Sequence, residues 1–123
     1  MDKAAEPCDI QLTGKSATLH FNSHLLHNQR PLMKSLEYVQ QLIEDGDIVE
    51  LVIDLSDVDS LTSSSLGWFF GYASKLQQRG GQLYFIRMSQ PIYLTLKVVQ
   101  MDRVAHIDEP DPVIPRKAGE DEV

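Results

Sequence analysis

Residues 48–70 read IVELVIDLSDVDSLTSSSLGWFF, and three kinds of order meet in them. The first eight are a compact β-rich run. Leu51-Val52-Ile53 is apolar on successive residues, which predicts a strand covered on both faces, as in a parallel or mixed sheet. From Leu66 onward the apolar residues Leu66, Phe69, Phe70, Ala73 and Leu76 recur at spacings of three and four, one face of a helix. Between strand and helix, Ser60, Thr62, Ser63, Ser64 and Ser65 place five hydroxyls within six residues. Thr62, Ser63 and Ser64 are all acceptable helix N-caps, but one capping hydroxyl contributes only ~1 kcal/mol and does not account for this density.

Outward from this block the pattern is that of an α/β layer structure. Ile10 and Leu12, then Ala17-Thr18-Leu19-His20-Phe21, alternate apolar and polar around Gly14-Lys15, which predicts a hairpin. Pro31 suits the first turn of a helix striped by Leu32, Leu36, Val39 and Ile43 and ended by Gly46. Gly80-Gly81 stops the helix that follows the hydroxyls, and residues 82–86 (QLYFI) form the next strand. Ser89 caps a third helix with Pro91 in its first turn and Ile92, Leu96 and Val99 as its stripe. A last short strand is predicted over Val104 to Ile107. The order β-β-α-β-α-β-α-β implies one domain with helices layered on a sheet. Residues 1–8 read as an arm, 9–107 as the domain and 108–123 as a charged, proline-containing, disordered tail.

The 123-residue length suits a single core. The net charge of −7 disfavours a nucleic-acid backbone as partner. Cys8 is the single cysteine, no signal-peptide pattern opens the chain, and no apolar run approaches the ~20 residues of a membrane span, so a cytoplasmic protein without direct membrane insertion is expected. Glycine-rich phosphate loops are missing, and with them support for a nucleotide sensor. His20, His24, His27 and His106 with one cysteine make no structural zinc set. The serines lack the GxSxG elbow of a hydrolase, and Asp54 is the nearest carboxylate at a strand end. No cofactor and no enzymatic activity are expected. A helix start does offer free N–H groups and a positive dipole end, so a phosphate placed on this turn is tolerated by the fold.

Asp54-Leu55-Ser56-Asp57-Val58 followed by Ser60-Leu61-Thr62-Ser63-Ser64-Ser65-Leu66-Gly67 resembles the STAS domain signature of anti-sigma factor antagonists, roughly D-L-S-x-V-x-x-[IM]-D-S-[ST]-G-L-G. The likeness continues through Arg79-Gly80-Gly81-Gln82-Leu83 and Met101-Asp102-Arg103-Val104, and covers about residues 10–107. It implies the STAS fold, a small mixed β-sheet with helices packed mainly on one side. It also implies a binding module that captures an anti-sigma factor doubling as a serine kinase of the histidine-kinase-like ATPase fold. That kinase releases itself by phosphorylating a serine at the start of the second helix, and a serine phosphatase restores binding. By position the acceptor is Ser63, with Ser64 and Thr62 as alternates, because Thr62 stands where the family has Asp and Ser65 where it has Gly. The implied partner surface comprises Asn28, Thr62, Ser63, Ser64, Ser65, Trp68, Tyr72, Met88 and Ser89. Trp68 and Tyr72 lie off the apolar stripe and are candidate exposed anchors, while Gly67 and Gly71 are expected to let the helix approach the sheet. The alternative is a constitutive STAS adaptor, for example a cytoplasmic component of a transporter complex.

Overall fold

In a computed structural model that describes residues 8–22, 25–26 and 30–110, β1 (Cys8–Thr13) and β2 (Ser16–Phe21) form the expected hairpin, turned by Gly14 at φ +59°. A two-residue β3 (Leu25–Leu26) precedes α1 (Arg30–Glu44). There follow β4 (Glu50–Asp54), a two-residue β5 (Ser60–Leu61), α2 (Ser63–Gln78), β6 (Gln82–Ile86), α3 (Gln90–Val98), a 3-10 turn at Met101–Arg103 and β7 (His106–Ile107). The main sheet runs β1-β2-β4-β6-β7. Only the β1–β2 pairing is antiparallel, so the sheet is mixed. β3 and β5 form a separate parallel pair, Leu25 opposite Ser60 and Leu26 opposite Leu61. Cys8, placed in the arm by sequence, is the buried first residue of β1. The rest of the arm, and the tail beyond residue 110, lie outside the described residues.

Strand side chains alternate between faces, and the register aligns the alternation across the sheet. Leu19, Ile53 and Phe85 lie side by side on one face, as do Ala17, Leu51 and Leu83, and all six are buried. The helices cover this face. The Phe69 ring of α2 sits 6.1 Å from Phe21 and 5.3 Å edge-on from Phe85, and Leu32, Leu36, Val39, Leu42 and Ile43 bury the inner stripe of α1. The other face carries Thr18, His20, Val52, Tyr84 and Ile86, all half-buried. The triplet Leu51-Val52-Ile53 therefore does not mark double cover. Val52 lies on the open side between Thr18 and Tyr84, and an apolar residue at the middle of a half-covered sheet mimics a fully buried run.

Gly81 carries the one obligatory close approach at the α2–β6 junction. A Cβ there would meet the Val49 carbonyl oxygen at 2.2 Å, so only glycine fits. Gly67 and Gly71 do not have the packing role expected of them. An added Cβ would meet nothing within 4 Å at either position, and Gly67 is exposed. No described helix is long and apolar enough to cross a membrane.

Candidate functional site

The hydroxyl run becomes the entry to α2. Thr62 is the N-cap, in extended conformation at φ −101° and ψ 164°. Its hydroxyl accepts from Ser65 N at 3.1 Å, and Ser65 Oγ accepts from Thr62 N at 2.9 Å. This reciprocal pair is a capping box, built here with Ser in place of the usual Glu or Gln. Ser65 Oγ also donates to the Thr62 carbonyl at 2.8 Å, and Ser65 is only 5% exposed. Two of the five hydroxyls are thus consumed by the helix start itself. Ser63, at the first helical position, is exposed. Ser64 is half-buried, and Ser60 is exposed in β5. No acidic side chain occupies the first turn.

The stripe of α2 is rotated from the one expected. Phe69, Tyr72, Ala73 and Leu76 face the core with Ser65, whereas Leu66 and Phe70 are half-buried. Tyr72 is fully buried, and its hydroxyl donates to the Leu36 carbonyl of α1 at 2.8 Å. That burial pushes its phenol far above the ordinary value, with a lesser contribution from Cys8. Tyr72 is therefore a core residue and not the exposed anchor that its place off the apolar stripe suggested. Trp68 is half-buried, its ring 6.1 Å from that of Tyr72. It retains part of its surface close to the helix start.

The β6–α3 connection divides in the same way. Met88 is buried at 5% exposure and belongs to the core. Ser89 is exposed and caps α3, its hydroxyl accepting from Ile92 N at 3.4 Å. Asn28 lies outside the described residues. Of the expected partner surface, Ser63, Ser64, Trp68 and Ser89 present surface. Ser65, Tyr72 and Met88 are buried, and Thr62 is half-buried as a cap.

Asp54 does not serve the hydroxyl run. Its carboxylate accepts from Ser56 N at 2.9 Å and faces Arg87 at 3.7 Å, on the open side of the sheet. Beside it His20 Nε2 lies 3.1 Å from Asp57 and 3.3 Å from the Ser56 hydroxyl. Sequence reading missed this polar grouping. Its members come from β2, from the end of β4, from the β4–β5 loop and from the residue after β6, and only the sheet register brings them together.

A one-sided α/β domain with an exposed serine at the start of its second helix is the class that fold and site define. The family model described as STAS domain matches residues 10–110, and the chain belongs to that family. SpoIIAA, an anti-sigma factor antagonist solved in its unphosphorylated form, superposes with a TM-score of 0.67 at 11% identity, over 92% of this chain and 94% of that one. The Bacillus cell fate determinant SpoIIAA in the phosphorylated form gives 0.64 at 11%, over 83% and 91%. An anti-sigma factor antagonist from Mycobacterium paratuberculosis gives 0.67 at 14%, over 91% of each chain. At these identities the likeness is one of fold. No curated protein matches the sequence.

Proposed function

We propose that this chain is a protein-binding module of the anti-sigma factor antagonist kind, whose hold on its partner is switched by phosphorylation of Ser63. The observation that carries this reading is the division of labour within one helical turn. Thr62 and Ser65 spend their hydroxyls on each other, while Ser63 between them is exposed at the first helical position. The same division disfavours Thr62 as acceptor and leaves Ser64 as the alternate. That SpoIIAA is known in unphosphorylated and phosphorylated forms on the same fold supports a switch of this type.

The partner is an anti-sigma factor that is also a serine kinase of the histidine-kinase-like ATPase fold, and a serine phosphatase reverses its action. In the forward step the γ-phosphoryl group of ATP passes to Ser63 Oγ. The P–O bond to ADP breaks as the new one forms, and the hydroxyl proton is lost. The phosphoserine adds about −1.5 to −2 charges at neutral pH. The fold accommodates it, because a helix N-terminus favours anions. A dry interface does not. An unpaired charge there costs several kcal/mol, and ~4 kcal/mol is about a thousandfold in affinity. Trp68 is the aromatic anchor of the contact and Ser89 part of its rim.

The test is a pulldown from native extract with wild type, Ser63→Ala and Ser63→Glu as baits, joined to intact-mass analysis of the wild-type protein. A single phosphate on Ser63, with the partner held by S63A and lost by S63E, is the expected result. Retention of one partner by all three baits, with no phosphate, overturns the switch. That outcome leaves the second reading, a constitutive STAS adaptor such as a cytoplasmic component of a transporter complex. The closed capping box favours that reading, since it gives Thr62 and Ser65 a purely structural use.

A further inference from the structure

The two edges of the main sheet are unlike. β7 is two residues long, too short to template another strand. β1 runs for six residues and, among the described residues, has β2 as its one strand neighbour. Its register with β2 runs unbroken from Cys8 to Thr13, so no bulge bends it away. The strand contains neither proline nor lysine, the usual guards of an open edge. A two-residue turn makes Thr13 and Ser16 a hydrogen-bonded pair, and such pairs alternate along the ladder. Gln11 and Asp9 therefore bond inward to β2, while Ile10 and Leu12 turn their N–H and C=O outward. The same two residues put their side chains on the helix-covered face, opposite Leu19 and Ala17, yet the cover stops short of them. Leu12 is 50% exposed and Ile10 is half-buried.

We infer that β1 pairs antiparallel with β1 of a second copy of this chain, about a two-fold axis at Gln11. That register sets Ile10 of each copy opposite Leu12 of the other. Both residues bond outward, so each pair closes by exchanging N–H and C=O, and the two uncovered apolar side chains meet on one face. Asp9 falls opposite the Thr13 hydroxyl of the other copy. The two Asp9 carboxylates are offset by about 13 Å along the strands, beyond the ~8 Å screening length at physiological ionic strength. Two copies of an acidic chain thus meet here without like charges opposed. An axis at Ile10 would set Leu12 against Cys8, which is buried already, and one at Asp9 would oppose the two carboxylates. The self-match of apolar residues and charge is what fits this edge to its own copy. Such a contact is isologous, occupies the long edge in both copies and closes at two. It does not rest on the switch proposed for Ser63.

The experiment has two arms on the full chain. Sedimentation equilibrium should show a monomer–dimer equilibrium in the wild type. Gln11→Lys, at an exposed position, sets two ammonium groups face to face on the axis and should weaken self-association at least about tenfold. Mild oxidation of single-cysteine additions then reads the register. Gln11→Cys places two thiols directly opposite each other and should give a disulfide-linked dimer, whereas Thr13→Cys places them about 13 Å apart and should not. Cys8 is buried, so the wild type serves as the blank. Both positions are exposed, and the cross-link forms only between folded edges, which separates the result from loss of structure. A monomer at all concentrations up to about 1 mM, self-association unchanged in Q11K, or equal cross-linking at 11 and 13 overturns the inference.

Discussion

α2 and α3 begin alike and are built differently. Each starts at a hydroxyl N-cap after a strand. At α3 one hydroxyl suffices: Ser89 accepts a single bond of 3.4 Å, and Pro91 sets the backbone of the first turn. At α2 the cap is reciprocal, with Thr62 and Ser65 exchanging bonds of 3.1 and 2.9 Å, and two further serines stand in the same turn. The reciprocal cap does not call on the exposed Ser63. That extra exposed hydroxyl, which α3 lacks, is the one the proposed switch uses.

The largest effect that can break this comparison is on binding. A charge placed by Ser63→Glu should reduce partner affinity about a thousandfold, while the same charge placed by Ser89→Glu should cost no more than about tenfold. Quantitative binding of the captured partner to both variants measures the ratio. Equal losses would mean that any charged helix start on this edge is rejected, and Ser63 would lose its special standing. The next effect is on stability. Ser65→Ala removes the two short bonds that the buried Ser65 hydroxyl makes with Thr62 N and Thr62 O, leaving the Thr62 side of the cap in place, and should destabilise the fold by about 1–2 kcal/mol, a fall of roughly 5 °C in Tm. Calorimetry checks it.

Much of this architecture was legible in the sequence, because hydrophobic periodicity and turn chemistry are local. The hairpin at Gly14, the end of α1 before Gly46, β6 at 82–86 and the cap at Ser89 all lie where the residues placed them. What escaped was set by contacts between distant segments. β3 and β5 are two residues each and exist through one another, so neither has a pattern of its own. The inner face of α2 was misjudged because its stripe begins at Ser65, a polar residue turned inward by its cap. It then runs through Tyr72, a residue whose hydroxyl finds its acceptor on α1. Periodicity counts a serine as outside and cannot see a carbonyl at Leu36. Tyr72→Phe tests that account. Below pH 10 it should cost about 1 kcal/mol for the lost hydrogen bond. Burial raises the folded-state value of this phenol above its ordinary 10.0, so its stabilising contribution is present below that pH and declines above it. The unfolded chain ionises there while the fold holds the group neutral. The wild type should therefore lose its advantage over Y72F by up to ~1.4 kcal/mol per pH unit above pH 10, as followed by denaturant melts.

The smaller effects sharpen the contrast between the two helix starts. Ser89→Ala should cost about 0.5–1 kcal/mol, less than Ser65→Ala, since one long bond is lost rather than two short ones at a buried hydroxyl. Ser63→Ala should change stability by less than about 0.5 kcal/mol, because an exposed hydroxyl at the first helical position is outside the capping box. That near-zero value carries the most information about function. A hydroxyl that contributes nothing to the fold, placed where a phosphate would meet the positive end of a helix, has its use outside the folded chain. If Ser63→Ala instead destabilised as much as Ser65→Ala, Ser63 would be a third member of the cap. The hydroxyl surplus over α3 would then be a matter of helix architecture alone.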